Sequence, residues 1–135
     1  MDPDDWVIVA GEKRDLIIAT RDYEKGDKSF SAVIQVGPSV AALYAEMEDG
    51  QFDSGGIHIT IQKINGFKTY IDFKKDDESS TCDIKVVLFA DKEFQGLLWF
   101  TSEGLTEKEA LDIAQKFDWG LMRNKAESIK FSPFL

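Results

Sequence analysis

Two short apolar runs, Val86-Val87-Leu88-Phe89 and Leu97-Leu98-Trp99-Phe100, lie close together in the stretch "CDIKVVLFADKEFQGLLWF". A strand with one face in water alternates apolar and polar residues, whereas one that is apolar on consecutive residues needs cover on both faces. The chain must supply that cover. Two segments have the helical periodicity for it. After Gly37-Pro38-Ser39, residues Val40, Leu43, Tyr44 and Met47 recur at helical spacing, with Pro38 suited to a first turn and Gly50 to a stop. Further on, "GLTEKEALDIAQKFDWGLM" places Thr106 three residues before Glu109, a capping box. The stripe Ala110, Ile113, Ala114, Phe117 and Leu121 follows on one face of that helix. One helix on each face of a mainly antiparallel sheet makes an α+β fold of the α/β/α sandwich type. The rival is a two-layer α+β fold whose second sheet face is buried in a homodimer.

The remaining strands follow from alternation and turn residues. Residues 6–11 ("WVIVAG") and 15–23 ("DLIIATRDY") read as strands with "GEKR" as the hairpin turn between them. "YEKGDK" turns the chain into a third strand that alternates Phe30, Ala32, Ile34 and Val36. "MEDGQFDSGG" reads as a loop, with Gly55-Gly56 as a turn. Ile57, Ile59 and Ile61 then alternate with His58, Thr60 and Gln62. "KING" closes a hairpin whose second strand carries Phe67, Thr69, Ile71 and Phe73. "KKDDESS" is a charged loop. The tail "RNKAESIKFSPFL" is ambiguous, and Ile129 and Phe131 would suit a short edge strand that Pro133 ends. Without repeat or linker, residues 1–135 read as a single globular domain.

Composition narrows the function classes. A net charge of −9 repels a phosphate backbone, and no cluster of Lys and Arg interleaved with aromatics offsets it, so nucleic acid is not an expected partner. An acidic surface suits water, a basic protein partner or mimicry of DNA. The lone Cys82 excludes an intramolecular disulfide and a thiolate-rich metal site, and its place at a strand start suits an inert buried thiol. No apolar run is long enough for an integral membrane segment, and "MDPDDW" is acidic where a signal peptide is basic. The chain as it stands reads as cytoplasmic, although an exported protein freed of its signal would look the same.

Residues that could carry chemistry are few. His58 is the only histidine and lies on the polar side of "IHITIQ", which suits a surface or half-covered strand residue. Glu46, Glu48, Asp49 and Asp53 are dense enough to suggest a calcium loop, but the EF-hand spacing is absent and a solvated loop explains them. Gly55-Gly56 precedes a strand, unlike a phosphate-cradling loop. Ser79, Ser80 and Thr81 have no histidine near them in sequence, and no nucleophile elbow occurs. No pair of carboxylates stands out for glycoside hydrolysis. The expectation is no enzyme, no cofactor and no metal.

The element order, with its hairpin "INGFKTYIDF", two apolar strands and the closing "GLTEKEALDIAQKF", resembles the Mog1/PsbP-like superfamily over roughly residues 14–121. The nearest match to its central hairpin turn is Ile64-Asn65-Gly66-Phe67-Lys68-Thr69-Tyr70. The resemblance implies an antiparallel sheet between helices and non-catalytic work, such as that of accessory subunits, effector chaperones, small-GTPase-binding factors or envelope lipoproteins. No site residue carries over from that group.

The expected function is therefore a non-enzymatic protein-binding or accessory module, with another protein or a second copy as partner. Trp6, Trp119, Phe131 and Phe134 are the candidate partner surface, against the plainer reading in which Trp119 caps the core beside Phe117. A second expectation is an acidic inhibitor or immunity protein that occludes a basic partner through Glu46, Glu48, Asp49, Asp53, Asp76, Asp77 and Glu78. A third is a small-ligand carrier with a pocket between sheet and helix.

Overall fold

The structure, a computed structural model, describes residues 9–10, 16–38, 40–91 and 94–130. Trp6, Phe131, Phe134 and the "GEKR" turn lie outside the described residues. In chain order the elements are β1 (Val9–Ala10), β2 (Leu16–Lys25), β3 (Lys28–Gly37), α1 (Ala42–Ala45), β4 (Gly50–Ser54), β5 (Ile57–Ile64), β6 (Phe67–Lys75), β7 (Ser80–Ala90), β8 (Gln95–Glu103), α2 (Glu107–Ala114) and α3 (Trp119–Lys130). The strands form one eight-stranded sheet in the order β1-β2-β3-β8-β7-β6-β5-β4, antiparallel at every pairing. Two meanders, β1 to β3 and β4 to β8, are thus joined along β3 and β8.

Tight turns set the register of the second meander. Asn65 and Gly66 have φ of 53° and 86°, and Gly55 and Gly56 have 53° and 85°. Two successive residues at positive φ make the turn whose twist matches a hairpin. They pair Ile64 with Phe67 and Ser54 with Ile57.

The apolar doublets divide between the two faces. Val86 and Leu98 join the main core with Ile34, Ile71, Ile84 and Phe100, under Ala110, Ala114, Trp119, Met122 and Ala126 of the two C-terminal helices. Val87 and Leu97 point the other way and pack with Ala41, Val40, Tyr44 and Ala45. Each Leu or Val so enclosed contributes about 1.5–3 kcal/mol relative to exposure. Both faces are therefore covered where the sequence demands it.

That cover is unequal, because the first helix is only one turn, Ala42–Ala45. Its N-cap position is Ala41, which offers no side-chain cap, and Glu46, Glu48 and Asp49 crowd the C-terminal side, where the helix dipole disfavours negative charge. The expected loop over "MEDGQFDSGG" contains strand β4, whose single large apolar residue, Phe52, shows no period. The expected single closing helix is two. Asp118 caps the second by accepting from Leu121 N at 2.9 Å, and Trp119 Nε1 donates to Ala114 O at 2.8 Å, which caps the end of the first. The second helix runs to Lys130, so Ile129 is helical and not in an edge strand.

Candidate functional site

Strand register shows what the thinly covered face presents. Ile61 stands opposite Tyr70, Tyr70 opposite Lys85, Lys85 opposite Trp99 and Trp99 opposite Val33, so one row crosses five strands on the face that α1 touches. At its centre Lys85 Nζ lies 4.8 Å, 5.7 Å and 5.0 Å from the ring centroids of Tyr44, Tyr70 and Trp99. It also donates to Tyr44 Oη at 2.8 Å. Cationic attraction to three ring faces thus pins the one-turn helix to the sheet. Lys68 holds the following segment, donating to Met47 O at 2.5 Å and to Asp49 Oδ1 at 3.0 Å.

Between that segment and the end of the sheet lies a groove of about 460 Å³, lined by Met47, Glu48, Phe52, Ile59, Ile61 and Tyr70. Phe52 on β4 forms its outer lip and is 58% exposed. Ile57, on the same face, is 37% exposed, and Leu43 of α1 is 64% exposed. A ligand in the groove remains in contact with water, because Phe52 and Glu48 are themselves exposed.

A row of opposite character runs beside the aromatic one. Asp72 and Asp83 are direct cross-strand partners, an arrangement that like charges disfavour. Asp83 Oδ1 accepts from Thr101 Oγ1 at 3.1 Å and from Trp99 Nε1 at 3.4 Å, and Asp72 Oδ2 lies 3.8 Å from Lys74. Burial, with the Asp72 charge nearby, holds the Tyr70 hydroxyl above its ordinary pKa of 10.0.

His58 is on the other face. Its row pairs it with Phe73 and so with Cys82, towards α2 and α3, while Ile57, Ile59 and Ile61 share the opposite face, where Ile59 and Ile61 line the groove. His58 is thus the half-covered strand residue, opposite the isoleucines, that the alternation predicts, with 30% of its side chain exposed. His58 Nδ1 is hydrogen-bonded to Asp53, and Nε2 lies 3.1 Å from Thr60 Oγ1 and 3.9 Å from Glu107 Oε1. The Asp53 contact raises the imidazole above its ordinary pKa of 6.5, against a smaller opposing effect of burial. The sequence Asp, His, hydroxyl has the order of a nucleophile triad, but Thr60 is only 7% exposed, so the hydroxyl is not presented to a dissolved substrate. Cys82 is 1% exposed, and burial together with the Glu107 charge pushes its thiol up to about 12. Among the described residues, no group of three or more His, Cys, Asp or Glu is placed to hold a metal ion.

Trp119, expected as a partner contact, is 3% exposed and edge-on to Phe67. The folded chain presents no Trp119 surface, and the residue belongs to the core. The acidic residues are exposed and brought together in part. Glu48 and Asp49 precede β4, while Asp53 sits near its far end, 76% exposed. The turn carrying Asp76 shares a pocket lining with Gly55 and Gly56, which places Asp76, Asp77 and Glu78 past that same end. Asp76 Oδ1 accepts from Glu78 N and Ser79 N, contacts that hold its carboxyl below the ordinary 3.8. Phe52, Tyr70, Lys85 and Trp99 were absent from the expected site. Face assignment by register is the signal that finds them, and it needs strand pairing that no single segment specifies.

No family model matches the chain, and no curated protein matches it. Among solved structures there is a likeness to LpqN, described as involved in cell envelope biogenesis of Mycobacterium tuberculosis, at 13% identity over 85% of this chain and 76% of that one. Its TM-score of 0.38 is too low for any functional inference to rest on it.

Proposed function

We propose that the chain is a non-enzymatic protein-binding module whose partner contacts the thinly covered sheet face around Phe52. The observation that carries this reading is an aromatic ring 58% exposed at the lip of a groove floored by Ile59, Ile61 and Tyr70. A large apolar side chain beside an apolar trough is the arrangement of a binding anchor. The resemblance of the element order to the Mog1/PsbP-like superfamily supports the same reading, since its members do accessory work.

The test is capture from a lysate of the source organism with the wild-type chain and with Phe52→Ser, at low and at high salt. One stoichiometric partner held by the wild type and lost by the variant supports the module. Identical captured sets for the two chains overturn the assignment of this face.

A further inference from the structure

Among the described residues the sheet ends on one side at β4, which has five residues, Gly50–Ser54, with four of them exposed. Unpaired edges invite another strand, and proteins blunt them by shortness, Lys, Pro, bulges or a covering element. The sequence "GQFDS" has neither Lys nor Pro, and no bulge interrupts its pairing with β5. Among the described residues no strand pairs with its outward N–H and C=O groups, which form a template for strand addition.

The side chains on that edge specify what would be added. Phe52 points to the groove face, while Gln51 and Asp53 point to the opposite face, because neighbours on a strand alternate. Exposed acids flank the strand at both ends, Glu46 and Glu48 before it and Asp76, Asp77 and Glu78 beyond it. Asp53 keeps 76% of its side chain exposed although it contacts His58. Of the neighbouring cations, Lys68 is engaged by Met47 O and Asp49, Lys74 lies 3.8 Å from Asp72, and Lys63 on β5 and Lys75 beside Asp76 are exposed, so the acids around the strand outnumber the cations. With the chain at −9, a second copy would bring the same acids against these. A cationic segment meets them favourably.

Resting on the reading of this face as a protein-binding surface, we infer that β4 is a strand-addition site for an extended, basic segment of another protein. The segment alternates apolar residues with Lys or Arg. Its apolar positions lie beside Phe52 on the groove face, and its cationic positions lie beside Asp53 on the other. Backbone pairing supplies the hold, and the alternation supplies the selection.

The test uses the full chain, immobilised, to select from random linear peptides displayed on phage. The expected winners alternate Lys or Arg with apolar residues. A synthetic winner should slow hydrogen exchange at alternate amides of residues 50–54, lose about tenfold or more of its affinity at high salt, and bind Asp53→Lys poorly. Enrichment of acidic or non-alternating peptides, or of none, overturns the inference. So does a winner that shifts Ile59, Ile61 and Tyr70 resonances without protecting the β4 amides, an outcome that leaves the binding face itself standing. If lysate capture fails to distinguish Phe52→Ser while the peptides behave as expected, the edge site stands and the groove is not needed.

Discussion

Lys85 and Tyr44 are 41 residues apart in sequence and joined by a 2.8 Å hydrogen bond from the ammonium to the phenol. The bond closes α1 onto β7, and the same ammonium faces the rings of Tyr70 and Trp99. A cation–π contact adds about 0.5–1 kcal/mol when exposed and about 2 when desolvated. Lys85→Ala is therefore expected to cost about 1–2 kcal/mol in urea unfolding, with faster amide exchange confined to residues 42–45. Loss of stability without faster exchange there would mean that Lys85 does not tether α1.

Gly96 is placed where a side chain does not fit. A Cβ at that position would lie 2.5 Å from an edge carbon of the Phe89 ring, which is stacked on Phe94 at 5.9 Å between centroids. Overpacking of this kind costs about 1–3 kcal/mol. Gly96→Ala should destabilise by that amount, and Phe89→Leu in the same chain should recover part of it. Additive losses in the double variant would show that the two sites do not clash.

The capping box of α2 is complete. Glu109 N donates to Thr106 Oγ1 at 3.1 Å, and Thr106 N donates to Glu109 Oε1 at 3.0 Å, which with Lys28 nearby holds the Glu109 carboxyl below its ordinary 4.5. Thr106→Ala is expected to cost about 1 kcal/mol, measured by thermal or urea unfolding, and Thr106→Ser to cost little.

His58 gives the fold a pH dependence whose sign follows from Asp53. The imidazole is raised above 6.5 in the folded chain, so the charged form is the one that folding favours. Its contribution is complete below the unfolded value and disappears as pH rises through the folded one. The wild type should lose stability relative to His58→Gln as pH rises from about 6.5 upward, through the raised folded value. Proton NMR titration of the ring should show Asp53→Asn moving the midpoint down. An unmoved midpoint would remove Asp53 as the cause.

Cys82, 1% exposed with its thiol pushed up to about 12, should resist disulfide-exchange reagents in the native chain and react once in urea. Rapid native labelling would place that strand outside the core.

Much of the sheet was readable because its signals are local. The doublets Val86-Val87 and Leu97-Leu98 demanded cover on both faces, and Asn65-Gly66 and the Thr106–Glu109 box carry their conformations in their residue types. Strand β4 was not readable, since "GQFDS" owes its extended form to β5 across the Gly55-Gly56 turn. Asp118 is not legible as a helix cap in the sequence, because the apolar stripe runs past it without interruption. The candidate site was hidden for a different reason: Tyr70, Lys85 and Trp99 converge only after three strands find their register. The acidic residues were visible in sequence, and what the fold adds is their position around one edge.

The junction of β3 with β8 has a consequence for synthesis. During translation β3 emerges early, yet its partner, residues 95–103, is the last strand of the second meander to be made. Until then the nascent first meander carries the row Phe30, Ala32, Ile34 and Val36 on a strand with one side unpaired. The ribosome-bound intermediate thus exposes a sticky margin that the finished molecule conceals, and it is the point in the life of this chain when a chaperone has most to hold.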